Sequence, residues 1–110
     1  MTFEELYEMM KAYFQQKDFS GFGEGVYSFQ FIVSGESAGI FFMEVRDGIP
    51  DIEPYDYKNC RCSFLLDAGV LRCILDRRLS PVEAYVTGRL TVHGDVSAAF
   101  LLADALGLSL

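Results

Sequence analysis

The period of the apolar positions changes several times along this 110-residue chain, and each change marks an element. Phe3, Leu6, Met10, Tyr13 and Phe14 recur at helical spacing. Thr2 and Glu5 form a capping box ahead of them, a hydroxyl and a carboxylate placed to satisfy amides that the first turn leaves free. The pattern predicts a helix that fades near Lys17-Asp18. Period two takes over at Gly25–Val33, where Tyr27, Phe29, Phe31 and Val33 share one face and Ser28 and Gln30 the other. Gly39–Arg46 alternates again, with Phe41, Met43 and Val45 inward. The short loop Ser34–Ala38 joins the two as a hairpin. Asp47-Gly48 is a tight-turn dipeptide, so a third strand is expected over Ile49–Glu53. Pro50 and Pro54 lack amide donors, which assigns that strand to a sheet edge.

After a loop at Tyr55–Asn59, Cys60–Leu66 reads as a strand with Cys60, Cys62, Phe64 and Leu66 on one face. Ala68–Asp76 reads as a short helix capped by Asp67, with Val70, Leu71, Ile74 and Leu75 inward. Ser80-Pro81-Val82-Glu83 combines an N-cap serine, proline at the first helical position and an acidic third residue. Gly88 stops that helix. Arg89–His93 is the last strand, with Leu90 and Val92 turned opposite to Thr91 and His93. Asp95 caps a final helix, Val96–Leu106, which Gly107 ends. The order implies an α+β domain over residues 1–110: one mostly antiparallel sheet with helices covering one face.

Composition narrows the function. Sixteen acidic against nine basic residues give a net charge of −7. That balance repels phosphate backbones and anionic lipid, so nucleic acid is not an expected partner. No apolar run reaches the roughly 20 residues of a membrane span. The N-terminus lacks the basic start and compact apolar block of a signal peptide. The three cysteines have no disulfide-framework pattern. A reducing cytoplasm is the expected location.

The final helix is the most informative segment. In VSAAFLLADAL only Ser97 and Asp104 are polar, and their spacing of seven puts them on one narrow stripe. Such a helix needs apolar cover on most sides. The two short helices, a second subunit or a bound hydrophobic ligand could each supply it.

The stretch LSPVEAYVTGRLTVHGDVSAAFLLADALGL resembles the C-terminal half of the sterol carrier protein (sterol-transfer, non-specific lipid-transfer) domain. Pro81, Ala84, Tyr85, Gly88, Arg89, Leu90, Val92, Gly94 and Asp95 match that family's run. CRCSFLLDAGVLRCIL and GIFFMEVRDG extend the likeness back to about Tyr27. Arg77-Arg78 stands where the family usually has a glycine and a basic residue, and the early tryptophan is absent. The terminal Leu-Ser-Leu is not the peroxisomal Ser-Lys-Leu of some members. The resemblance implies a five-stranded sheet with an apolar cavity between sheet and helices. It further implies non-enzymatic binding or transfer of a fatty acid, acyl-CoA, sterol or other lipid, without a cofactor.

Phe64, Leu66, Leu71, Ile74, Leu75, Tyr85, Val86, Phe100, Leu101 and Leu106 are the candidate lipid-binding residues. Pattern alone does not separate a cavity wall from a solid core. Transient membrane contact stays open, as does the alternative of a protein-protein interaction module or homodimer that uses the apolar C-terminal helix without a ligand. Arg72, Arg77 and Arg78 cluster near the second helix, where they could meet an anionic group or form a solvated helix end. Cys60, Cys62, Cys73 and His93 are the residues a zinc or thiol site would use. Strand alternation keeps His93 on the polar face, so buried inert thiols are expected instead, with no metal and no catalytic residue.

Overall fold

A computed structural model describes residues 1–110. Its elements run α1 (Phe3–Gln15), a 3-10 turn (Ser20–Phe22), β1 (Val26–Ser34), β2 (Gly39–Arg46), β3 (Ile49–Glu53), β4 (Cys62–Asp67), α2 (Ala68–Leu75), α3 (Pro81–Val86), β5 (Leu90–Gly94) and α4 (Val96–Ala105). The five strands form one sheet in the order β3-β2-β1-β4-β5. All neighbours are antiparallel except β1 and β4, which run parallel through the register Phe31–Phe64. The α+β plan with a mostly antiparallel sheet therefore holds, and its centre contains one parallel pair.

Local chemistry explains the element boundaries. The Thr2 side chain accepts from the Glu5 amide while Glu5 accepts from the Thr2 amide, closing the capping box. Asp47 and Gly48 both have positive φ, 51° and 81°, as a tight hairpin turn between β2 and β3 requires. β3 takes the sheet edge that its prolines allow. β4 starts at Cys62 rather than Cys60. Cys60 lies in the preceding loop, with its sulfur 2.9 Å from the Ser63 hydroxyl.

All four helices lie on one face of the sheet. Phe29, Phe31, Val33, Phe41, Met43, Val45, Cys62, Phe64 and Leu66 point toward them and are buried. Phe31 stacks on Phe41 at 4.7 Å and leans on Phe64 at 5.2 Å, and Phe14 of α1 meets Phe31 at 5.6 Å. The Tyr7 hydroxyl donates to the Ile52 carbonyl at 2.7 Å, so α1 is tied to the edge strand as well as packed on the sheet.

On the opposite face Ser28 is buried as well. The segment after β3 folds back over that face. The Tyr57 amide donates to the Gln30 side chain at 2.6 Å, and the Arg61 amide donates to the Ser28 hydroxyl at 2.8 Å. The Tyr57 hydroxyl donates to Glu44 at 2.7 Å and its ring lies edge-on to Phe42 at 5.0 Å. Polar side chains on this face thus serve as acceptors that hold a loop.

Candidate functional site

Three short helices frame the site, and each is capped at both ends. Asp67 accepts from the Gly69 amide at the start of α2, Ser80 from the Glu83 amide at the start of α3, and Asp95 from the Ala98 amide at the start of α4. At the other ends the same two backbone bonds recur. Gly88 and Arg89 close α3 onto Tyr85 and Ala84, and Gly107 and Leu108 close α4 onto Asp104 and Ala103. In α2 the equivalent left-handed position is Arg77, at φ 63°, where glycine is the usual residue. Its guanidinium donates to the Gly107 carbonyl, so the end of α2 is tied to the end of α4.

Between these helices and the sheet lies a cavity of about 230 Å³. Phe31, Phe64, Leu66, Leu90 and Val92 form its sheet wall. Leu71, Ile74 and Leu75 come from α2, Pro81, Val82 and Tyr85 from α3, and Val96, Ala99, Phe100, Leu102 and Ala103 from α4. Leu106, Leu108 and Leu110 follow α4, and Phe14 closes the side toward α1. The Tyr85 hydroxyl is the one polar side-chain group in this lining. Val82, Tyr85, Val96 and Phe100 line the cavity and are also exposed, so the space opens to solvent between α3 and α4.

Eight of the ten candidate residues meet around this space: Phe64, Leu66, Leu71, Ile74, Leu75, Tyr85, Phe100 and Leu106. Val86 does not; it is 75% exposed in the last turn of α3 and absent from the lining. Leu101 does not either; it sits beside Phe22 and Ala105 on another side of α4. A helix of six residues and a helix apolar almost all round carry too little polar contrast to orient a single position. The missed wall residues had a signal on α4. Ala99 and Leu102 lie about half a turn from the stripe that Ser97 and Asp104 mark. Phe14 and Phe31 are read from their spacing as core, and only packing makes them a cavity wall as well.

Charge stays at the periphery. Asp95 accepts from the Ala98 amide and from Arg61 Nε at 3.0 Å, and in that order these hold its carboxyl below the usual range. Arg78 pairs with Asp76 at 3.2 Å, Arg77 is spent on Gly107, and Arg72 is exposed. The three arginines do not converge on a common point of the cavity.

No family model matches the chain. It is 29% identical over 87 residues to hydroxysteroid dehydrogenase-like protein 2 of Xenopus tropicalis, a match covering 76% of this chain and 20% of that protein. The chain thus spans about a fifth of the length of that relative. Among solved structures it superposes on Sterol Carrier Protein 2 Like 2 of Aedes aegypti with a TM-score of 0.65, at 18% identity over 92% of this chain and 93% of that one. The palmitated form of the Aedes protein gives 0.70 at 18% identity, over 96% and 95%. The fold is that of the sterol carrier proteins. A double mutant of the sec-alkyl sulfatase PisA1 contains the same fold within a larger chain, with a TM-score of 0.76 at 16% identity, over 92% of this chain and 16% of that one.

Within the sterol carrier fold His93 and the buried Cys62 are separated. Ser63 faces His93 across β4 and β5 while Cys62 faces Gly94, so Cys62 and His93 lie on opposite faces of the sheet. Cys62 is fully buried, and burial pushes its thiol up to about 11. His93 is exposed. No group of three His, Cys, Asp or Glu side chains converges as metal ligands would, and no helix is long and apolar enough to cross a membrane.

Proposed function

We propose that this chain binds a single lipid-like molecule in the cavity between α2, α3, α4 and the sheet, and carries it without chemical change. The observation that carries this reading is the lining itself, with one phenol hydroxyl and no charged side chain. Such a wall gains free energy from an apolar chain and offers nothing that would attack one. Each buried methylene contributes about 0.8 kcal/mol. Ten of them give roughly 8 kcal/mol gross, which association and ordering costs of several kcal/mol reduce to the range of reversible binding. A carrier needs that reversibility.

The opening is where a polar head would stay. Tyr85 and Phe100 stand there half in water, so an amphiphile can insert its chain and leave its head hydrated. Support also comes from the Aedes protein of the same fold, whose solved form is palmitated. The free thiols of Cys60, Cys62 and Cys73 fit a reducing compartment such as the cytoplasm.

A displacement titration with a fluorescent fatty acid tests the reading, alongside native mass spectrometry of the purified chain. The expected result is saturable one-to-one uptake that Ala99→Phe weakens at least tenfold, because the added ring occupies the space the ligand needs. Unchanged uptake by Ala99→Phe, at unchanged stability, would place the ligand elsewhere. No uptake of fatty acids, acyl-CoA or sterols by the unmodified chain would end the proposal.

A further inference from the structure

The rim of the opening is more apolar than a water-exposed rim needs to be. On α3, Val82, Tyr85 and Val86 are 40%, 58% and 75% exposed. They stand at i, i+3 and i+4 and therefore share one face. On α4, Val96 and Phe100 are 53% and 51% exposed and stand at i and i+4. All but Val86 also line the cavity, so the two stripes flank its opening. Glu83 is the one charged side chain of α3, and Asp104, near the far end of α4, is the one of that helix.

Charge is divided in the same way. Residues 1–67 carry twelve acidic and five basic residues, which accounts for the whole net charge of −7. Residues 68–110, which contain both stripes, carry four of each. The rim belongs to the neutral part of an acidic protein.

We propose that this rim docks on an uncharged phospholipid surface, with Val86 as an anchor outside the cavity. The inference rests on the carrier function proposed above and names the surface with which the cavity exchanges its cargo. Two arguments favour a bilayer over a second copy of the chain. Five roughly half-exposed side chains offer on the order of 500 Å², at 150–250 Å² for each aromatic and less for each valine, whereas a stable dimer needs about 800 Å² per partner. A second copy seated on the rim would also seal the opening, while a bilayer would continue the apolar path out of it. Aromatic side chains such as Tyr85 and Phe100 favour the interface between water and hydrocarbon. The acidic remainder sets the preference for a zwitterionic surface, because an anionic one repels it within a Debye length.

Val86 makes the idea separable from ligand binding, since it touches no part of the cavity. The test compares the unmodified chain, Val86→Asp and Ile49→Asp, the last an equally bold change at a 71% exposed position on the far edge strand. Cosedimentation with pure phosphatidylcholine vesicles is measured first and needs no cargo. Transfer of a fluorescent fatty acid between such vesicles is measured second, and solution affinity for the same probe third. The expected result is vesicle binding that drops at least tenfold in Val86→Asp and is unchanged in Ile49→Asp. Transfer should slow in parallel, while solution affinity stays within twofold. Mixing in phosphatidylserine should weaken the binding of the unmodified chain. Vesicle binding indifferent to Val86→Asp overturns the docking and leaves the cavity standing. A dimer of the unmodified chain that Val86→Asp dissociates assigns the rim to a second copy and overturns it too. Vesicle binding without solution uptake of the probe retains the docking and removes the carrier function.

Discussion

The two halves of the helical layer cover the same sheet face by opposite means. Under α1 the space is filled: Leu6, Met10 and Phe14 are essentially inaccessible, and Phe31 and Phe41 stack behind them. Under α2, α3 and α4 a cavity of about 230 Å³ remains. The difference lies in side-chain shape. Rings from α1 and the central strands interdigitate with each other. The short helices instead present mostly aliphatic side chains, with the rings of Tyr85 and Phe100 standing at the opening, and the space between them and the sheet stays unfilled. Phe14, Phe31 and Phe64 form the partition, belonging at once to the aromatic cluster and to the cavity wall.

That contrast makes unequal predictions for the two halves. Phe41→Ala, in the filled half, should cost about 3–5 kcal/mol and be read as a large drop in the urea midpoint, because it removes a ring with no room for collapse. Phe100→Ala, at the opening, should cost under about 1 kcal/mol, yet weaken fatty-acid binding severalfold in the displacement titration. Equal losses of stability for the two would erase the distinction between filled and open halves.

A further test concerns the tie between α2 and α4. Arg77→Gly relieves a left-handed non-glycine residue, which favours the variant by up to about 1 kcal/mol. It also removes the guanidinium from the Gly107 carbonyl. Thermal unfolding should shift little or slightly upward, while amide exchange speeds up at Gly107 and Leu108. Unchanged exchange there would show that backbone bonds alone hold the end of α4.

The smallest effect is one of pH. Burial raises the Cys62 thiol from 9.0 to about 11, with the negative charges of Cys60 and Asp95 adding to it. Between those values the folded chain retains a proton that the unfolded chain has released. Stability is therefore complete below about pH 9 and declines as pH rises toward 11. Tyr7, raised first by burial, and Tyr57, raised first by its hydrogen bond to Glu44, act in the same direction. Urea titrations at pH 8 and 10.5 check the sign, and Cys62→Ala should reduce the alkaline loss. Cys62 should also resist alkylation at pH 8 until the chain unfolds.

Local signals were legible one by one. Thr2 with Glu5, Asp67, Ser80 and Asp95 act as caps because each side chain reaches an amide two or three residues away. Asp47-Gly48 turns because both residues accept positive φ. The resemblance after Leu79 added the expectation of a cavity, which the periodicity of the chain did not contain. Eight of ten candidate wall residues met there. Val86 and Leu101 lie off the cavity, and a six-residue helix and an almost wholly apolar one carry too little polar contrast to orient them.

The sequence by itself determined the elements, most of their ends and which residues of the central strands face inward, since these depend on interactions within a few residues; the start of β4 at Cys62 rather than Cys60 was not among them. Only the tertiary structure decided the parallel pairing of β1 with β4, the loop drawn over Ser28 and Gln30, and the division of one apolar layer into a filled half and an open one. Those outcomes depend on how side chains from distant segments share volume, and volume is a property of the assembled pair that neither segment carries alone.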